Sequence, residues 1–271
     1  MTGLIIFFLG SPFNVNAQGN LLITPKRLVF GNESGSQEIN LANTGSDSAR
    51  YAVSFIQIRM NEKGNFEQIS QPDSGQYFAD KYLRIFPRTV TLGPNEAQVV
   101  KVQVRKSDKM PAGEYRSHLY FRAIDEQIAA GEKKIIKDTA SVSVRLTPVF
   151  GISIPVIIRI GESTSNVHLS NVRLETLNDQ STIMHARFNR SGNMSVYGDL
   201  KIEHVSETGK RTQVGLVKGI SVYTPNSTRD VRIKVDNEPG VSYRSGKLQV
   251  SYSRPSEERS AILASIEIEL N

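Results

Sequence analysis

The sequence predicts an all-β protein built as two sandwich domains in tandem. Three observations carry that reading. Nearly every segment alternates apolar and polar residues with a period of two, as strands with one buried face do. Turn residues punctuate the chain at roughly ten-residue spacing, the mark of sandwiches. No stretch shows convincing helical periodicity. A chain of 271 residues is long enough for one large or two ordinary domains. The small, polar stretch Gly161-Glu162-Ser163-Thr164-Ser165-Asn166 is the best boundary between them. The expected parts are therefore a leader over residues 1–17, a first domain over 18–160 and a second over 161–271.

The leader rests on Leu4-Ile5-Ile6-Phe7-Phe8-Leu9-Gly10, an apolar core too short to span a bilayer. Val15-Asn16-Ala17 follows with small residues at the spacing a signal peptidase needs, so cleavage is expected after Ala17 although the basic opening residues are missing. No later apolar run approaches about 18 uninterrupted residues, so no transmembrane helix is predicted.

In the first domain, Leu21-Leu22-Ile23 and Leu28-Val29-Phe30 flank Thr24-Pro25-Lys26-Arg27, a first strand kinked at a proline as edge strands often are. Gln37 to Leu41 leads into the turn Asn43-Thr44-Gly45. Tyr51, Val53 and Phe55 alternate with Ala52, Ser54 and Ile56 in the next strand, and Gly64-Asn65 closes a hairpin. Tyr82 to Leu92 ends in the turn Gly93-Pro94-Asn95-Glu96. Gln98 to Val104 alternates again, and Pro111-Ala112-Gly113 introduces Glu114 to Ala123. A polar loop spans Asp125 to Asp138.

The stretch from Ser141 to Arg159 stands out. Its even positions are Val142, Val144, Leu146, Pro148, Phe150, Ile152, Ile154, Val156 and Ile158, while its odd positions begin polar and turn apolar later. As one strand it would span roughly 55 Å, against a usual length of about 17–20 Å. Either it breaks near Pro148 or Pro155 into two core strands, or part of its apolar face is covered by another protein. In the second domain the pattern restarts with Val167 to Leu174, Ile183 to Phe188, Ser195 to Val205, Gln213 to Val222, Asp230 to Val235, Lys247 to Ser253 and Ile262 to Leu270.

Composition narrows the function. With 22% charged and 38% hydrophobic residues the chain suits a globular protein, neither disordered nor a membrane bundle. There is no cysteine, hence no disulfide framework, thiol nucleophile or thiolate metal site. The net charge of +6 is scattered among Asp and Glu along strands, without a basic helix or lysine block, which argues against nucleic-acid binding. His118, His168, His185 and His204 lack ligand spacing, so no metal is expected. Phosphate loops and Gly-x-Ser-x-Gly are absent, and nothing in the spacing asks for an enzyme or a cofactor.

From Leu22 to Arg159 the chain resembles the PapD-like periplasmic chaperones of pilus and fimbrial assembly. Three stretches carry the likeness: Arg27-Leu28-Val29-Phe30; Pro87-Arg88-Thr89-Val90-Thr91-Leu92-Gly93-Pro94-Asn95-Glu96-Ala97-Gln98-Val99-Val100; and Met110-Pro111-Ala112-Gly113-Glu114-Tyr115-Arg116-Ser117-His118-Leu119-Tyr120-Phe121-Arg122. The resemblance implies two immunoglobulin-like domains set at an angle, with exported pilus-type subunits bound in and beside the cleft, and possible delivery to an outer-membrane usher. It implies a non-enzymatic, periplasmic protein that donates a strand to a subunit lacking its own. Arg27 aligns with a basic residue that anchors the subunit's terminal carboxylate, and a guanidinium can hold a carboxylate bidentately. The family's second anchor, a lysine, does not transfer; its place falls near Gly151, and Arg145, Arg88 and Arg116 are the candidate substitutes. Val142, Val144 and Leu146 stand where the family donates side chains, each worth about 1.5–3 kcal/mol when buried. The alternative is a structural or adhesive surface protein of tandem Ig-like domains, which would keep the long strand for its own core or for self-association.

Overall fold

The computed structural model describes residues 21–31, 35–105, 110–124, 151–177, 181–255 and 261–270. The leader, Val142, Val144, Arg145 and Leu146 lie outside them. Within them the chain is nearly all strand: β1 (Leu21–Thr24), β2 (Leu28–Phe30), β3 (Ser36–Asn43), β4 (Ala49–Ile56), β5 (Ile58–Met60), β6 (Phe66–Gln68), β7 (Leu83–Phe86), β8 (Thr89–Leu92), β9 (Ala97–Val104), β10 (Gly113–Ile124), β11 (Gly151–Ile160), β12 (Asn166–Thr176), β13 (Thr182–Ser191), β14 (Val196–Val205), β15 (Arg211–Val222), β16 (Thr228–Val235), β17 (Lys247–Ser253) and β18 (Ile262–Glu269). A single 3-10 turn, Asp80–Tyr82, precedes β7.

Two sandwiches result. The first packs the sheet β1-β3-β9-β7 against β2-β11-β10-β4-β8. The second packs β12-β13-β16 against β15-β14-β17-β18. Both orders are those of immunoglobulin-type folds, in which outer strands join one sheet and a central pair the other. The period-two pattern explains the cores directly, since alternate residues of each strand meet between the sheets. Phe30, Ile39, Leu41, Leu92, Leu119, Phe121 and Val156 fill the first core. Met184, Phe188, Leu200, Ile202, Val250 and Tyr252 fill the second, where Phe188 meets Tyr252 edge-on at 4.9 Å between centroids.

Prolines move strands between sheets. The kink at Pro25 separates β1, in the first sheet, from β2, in the second. Pro87 divides the expected run Tyr82–Leu92 in the same way: β7 pairs with β9 and β8 with β4. At both places the missing N–H removes a ladder hydrogen bond, and the chain changes partner there. Pro155 behaves differently from expectation. It does not break the long run, because β11 passes through it opposite His118.

The domains meet along β10 and β11. Residues Glu114 to Leu119 are buried on both faces of the strand. Tyr115 and Leu119 turn into their own core, while Glu114, Arg116 and His118 turn toward the second domain. Ile157, with Met60, Tyr223 and Val29, forms a separate apolar cluster at that contact. The β5–β6 hairpin braces the contact: Glu62 O accepts from Asp230 N at 2.7 Å and Met60 O from Asn226 Nδ2 at 2.6 Å.

Candidate functional site

The parallel pairing of β2 with β11 is short, and where it stops decides what the site can do. Leu28, Val29 and Phe30 pair with Val156, Ile157 and Ile158. The other side of β11 pairs with β10 along its whole length, from Arg122↔Gly151 to Gly113↔Ile160. Gly151 to Pro155 therefore have a ladder partner on one side and, among the described residues, none on the other. An unpaired strand side presents free N–H and C=O groups, a template for a further strand. Ile152 on this stretch is 41% exposed, whereas Ile154 is buried in the domain's own core. The change from an open to a self-covered face falls between those two residues, later than Pro148.

Arg27 immediately precedes the first rung of that pairing, at the level of Pro155, where the open side begins. Its guanidinium lies over the Tyr197 ring of the second domain, 3.8 Å from the centroid. Its Nε and Nη1 are buried and have no hydrogen-bond partner. Arg27 lines a cleft of about 620 Å³ between the domains. Val29 and Arg159 line it from the first domain, Gly161, Ser163 and Ser165 from the connection between the domains, and Met194 to Tyr197, Arg254 and Leu263 from the second domain.

The other arginines sort by position. Arg88 is exposed, and its carbonyl accepts from Val53 N at 2.8 Å; its side chain does not line the cleft. Arg116 does not line it either, being sealed in the domain contact with its guanidinium 4.1 Å from the Tyr223 ring centroid. Burial pulls its pKa below the ordinary arginine value, against the opposing pull of Glu114. Arg145 lies outside the described residues. The place near Gly151 carries no side chain, and the tip of the Tyr120 ring lies over it, so a side chain there would require that ring to swing aside.

Glu114 ties the walls of the cleft together. Its Oε2 accepts from Arg159 Nε (3.2 Å) and Nη2 (3.1 Å), from Ser195 N (3.0 Å) and from Ser195 Oγ (2.6 Å). Arg159 Nη2 also donates to Ser195 O at 2.8 Å. Among the described residues, the buried side-chain polar atoms without a partner are Arg27 Nε and Nη1, Glu114 Oε1, Arg116 Nε and Nη1, His118 Nδ1 and Arg229 Nε. All belong to residues at the domain contact. This contact is thus the polar, less satisfied part of a molecule whose two cores are apolar. His118 illustrates it: burial, reinforced by the Arg116 charge, holds its pKa down at about 3, so it is neutral near pH 7.

Glu114, Arg159 and Ser195 were not singled out in the sequence. The signal available was the double-sided burial implied by Val156-Ile157-Ile158, where apolar residues occupy both faces of one strand. Among the described residues no group of three His, Asp or Glu side chains is placed to hold a metal ion, and no helix is long and apolar enough to cross a membrane.

No family model matches the chain, and no curated protein matches it. Among solved structures it is similar to the YadV chaperone (12% identity, 92% of this chain and 99% of that one, TM-score 0.45). It is also similar to the CsuC–CsuE chaperone–tip adhesion subunit pre-assembly complex of the archaic chaperone-usher Csu pili of Acinetobacter baumannii (13% identity, 92% and 98%, TM-score 0.45). A third is the Salmonella enterica SafB chaperone in complex with SafA pilin (11% identity, 93% and 96%, TM-score 0.41).

Proposed function

We propose that this chain is an exported, periplasmic chaperone that holds incomplete β-rich subunits of a pilus or fimbria by strand addition, acting through binding rather than catalysis. The observation that carries the reading is the open side of β11 over Gly151–Pro155, which begins beside Arg27 at the cleft. A client that lacks its last strand would pair with this side and with the residues preceding it. Val142, Val144 and Leu146 continue the even-numbered set of Ile152 and would fill the client's groove. Arg27 would hold the client's terminal carboxylate, since its buried N–H groups have no acceptor and the Tyr197 ring keeps its plane fixed. An exposed strand edge is an aggregation hazard for an ordinary protein, and a client that covers it removes the hazard. On this reading residues 1–17 are a leader removed at export after Ala17, and the division at residues 160–161 separates the strand-donating domain from the one that completes the cleft.

The test is binding of a subunit truncated to remove its final strand. Val144→Asp and Leu146→Asp each forfeit burial of one side chain, about 1.5–3 kcal/mol, and are expected to weaken binding roughly ten- to hundredfold apiece. Full retention of affinity in both variants would leave a tandem Ig-like surface protein as the better account.

A further inference from the structure

The cleft carries more positive charge than one anchor uses. Arg27, Arg159 and Arg254 line it, and among the described residues no Asp or Glu does. Arg159 is committed to Glu114. Arg254 makes no ion pair among the described residues, and its side chain is exposed. Its backbone is nevertheless fixed: Arg254 N donates to Ala261 O at 2.9 Å, closing the β17–β18 loop, and Pro255 follows. The second domain therefore presents an exposed guanidinium, without an ion pair among the described residues, on the same cleft that Arg27 lines from the first.

We propose that Arg254 is the second anchor, so that a carboxylate is clamped between one arginine from each domain. This deepens the reading given above and rests on it. The sequence looked for a second cation within the first domain, and the geometry instead offers one from the second. The apolar wall formed by Val29, Met194 and Leu263 selects the class of anion. A carboxylate carried on an apolar terminal residue fits both parts of the lining, whereas free phosphate satisfies only the charges. Because its two anchors sit on different domains, binding at this point depends on the domains keeping their mutual orientation, which Glu114 and the β5–β6 hairpin maintain.

The experiment uses the full exported chain and a fluorescent twelve-residue peptide of alternating valine and threonine, ending in valine, made with a free carboxylate or a terminal amide. The wild type is expected to bind the carboxylate form at least tenfold tighter than the amide. Arg254→Ala and Arg27→Ala should each reduce the carboxylate form to the level of the amide and retain the wild-type circular dichroism spectrum. Arg254→Lys should restore part of the preference. If Arg254→Ala keeps the full preference while Arg27→Ala loses it, the clamp is wrong and the docking reading stands. If the wild type binds neither peptide, the docking reading fails and takes the clamp with it. If millimolar inorganic phosphate abolishes the preference as readily as acetyl-valine does, the cleft is a general anion site and the assignment to an apolar terminus is overturned.

Discussion

Replacing Glu114 with alanine measures how much of the domain contact one carboxylate holds. Its side chain is wholly buried, and its Oε2 accepts from Arg159 and from two groups of Ser195, while the Arg159 side chain is 30% exposed. Removing one member of a buried pair costs about 3–5 kcal/mol, because the partner is left charged and uncompensated. Water reaches part of Arg159, which places the loss near the lower bound, about 3 kcal/mol. In a chain of this size 1 kcal/mol shifts the melting temperature by about 2–4 °C, so a fall of about 6–12 °C is expected. Glu114→Gln keeps an acceptor for Ser195 but loses the charge, and should fall between alanine and wild type. Calorimetry at pH 7 on the wild type, Glu114→Ala, Arg159→Ala and the double variant provides the assay. Since the two side chains share one interaction, the double variant should lose less than the sum of the single losses. A loss below about 1 kcal/mol, the range of an exposed pair, or strictly additive losses would refute the reasoning.

Further outcomes follow from the same contact. His118 is held neutral with a pKa of about 3 instead of 6.5, so the unfolded chain takes up a proton below pH 6.5 that the folded chain refuses until about pH 3. Its contribution is complete above pH 6.5 and is lost as the pH falls toward 3. Urea unfolding should therefore show the wild type about 2 kcal/mol weaker at pH 5 than at pH 8 through this group, and His118→Gln should lack that slope; identical slopes would exclude the assignment. At Gly192, φ is +88° and an added Cβ would come 2.4 Å from the Thr164 carbonyl oxygen, so Gly192→Ala should destabilise by about 1–3 kcal/mol in the same assay. An effect within about 0.5 kcal/mol, the range of a neutral surface change, would contradict the close approach.

Much of the fold was legible because period two is written residue by residue. Val100 and Val102 share the buried face of β9 while Val99 and Lys101 between and beside them are exposed, as the alternation in sequence says. What escaped was set by partners distant in the chain. Nothing between Tyr82 and Leu92 says that its halves join opposite sheets, although Pro87 marks where they part. Arg116 has the residue type of an anchor, yet its strand faces the second domain, and Tyr223 reaches it from about a hundred residues away. Arg27, the proposed anchor, could be named from the sequence because the local likeness points to it. Arg254 could not be, because its place on the cleft comes only from the folding of a second domain across it. Glu114 reads in sequence as an ordinary polar strand residue, and only the docking of Ser195 against it makes it central.

Hydrogen exchange at the amides of Gly151 to Ile154 tests the central claim most directly. In the free protein the amides on the unpaired side of β11 should exchange quickly, while those bonded to β10 are protected. When a subunit lacking its last strand is added, the fast set should become protected while the interior of β13 and β14 is unchanged. Bound subunit with no new protection over these residues would show that the open side of β11 is not where a client is completed.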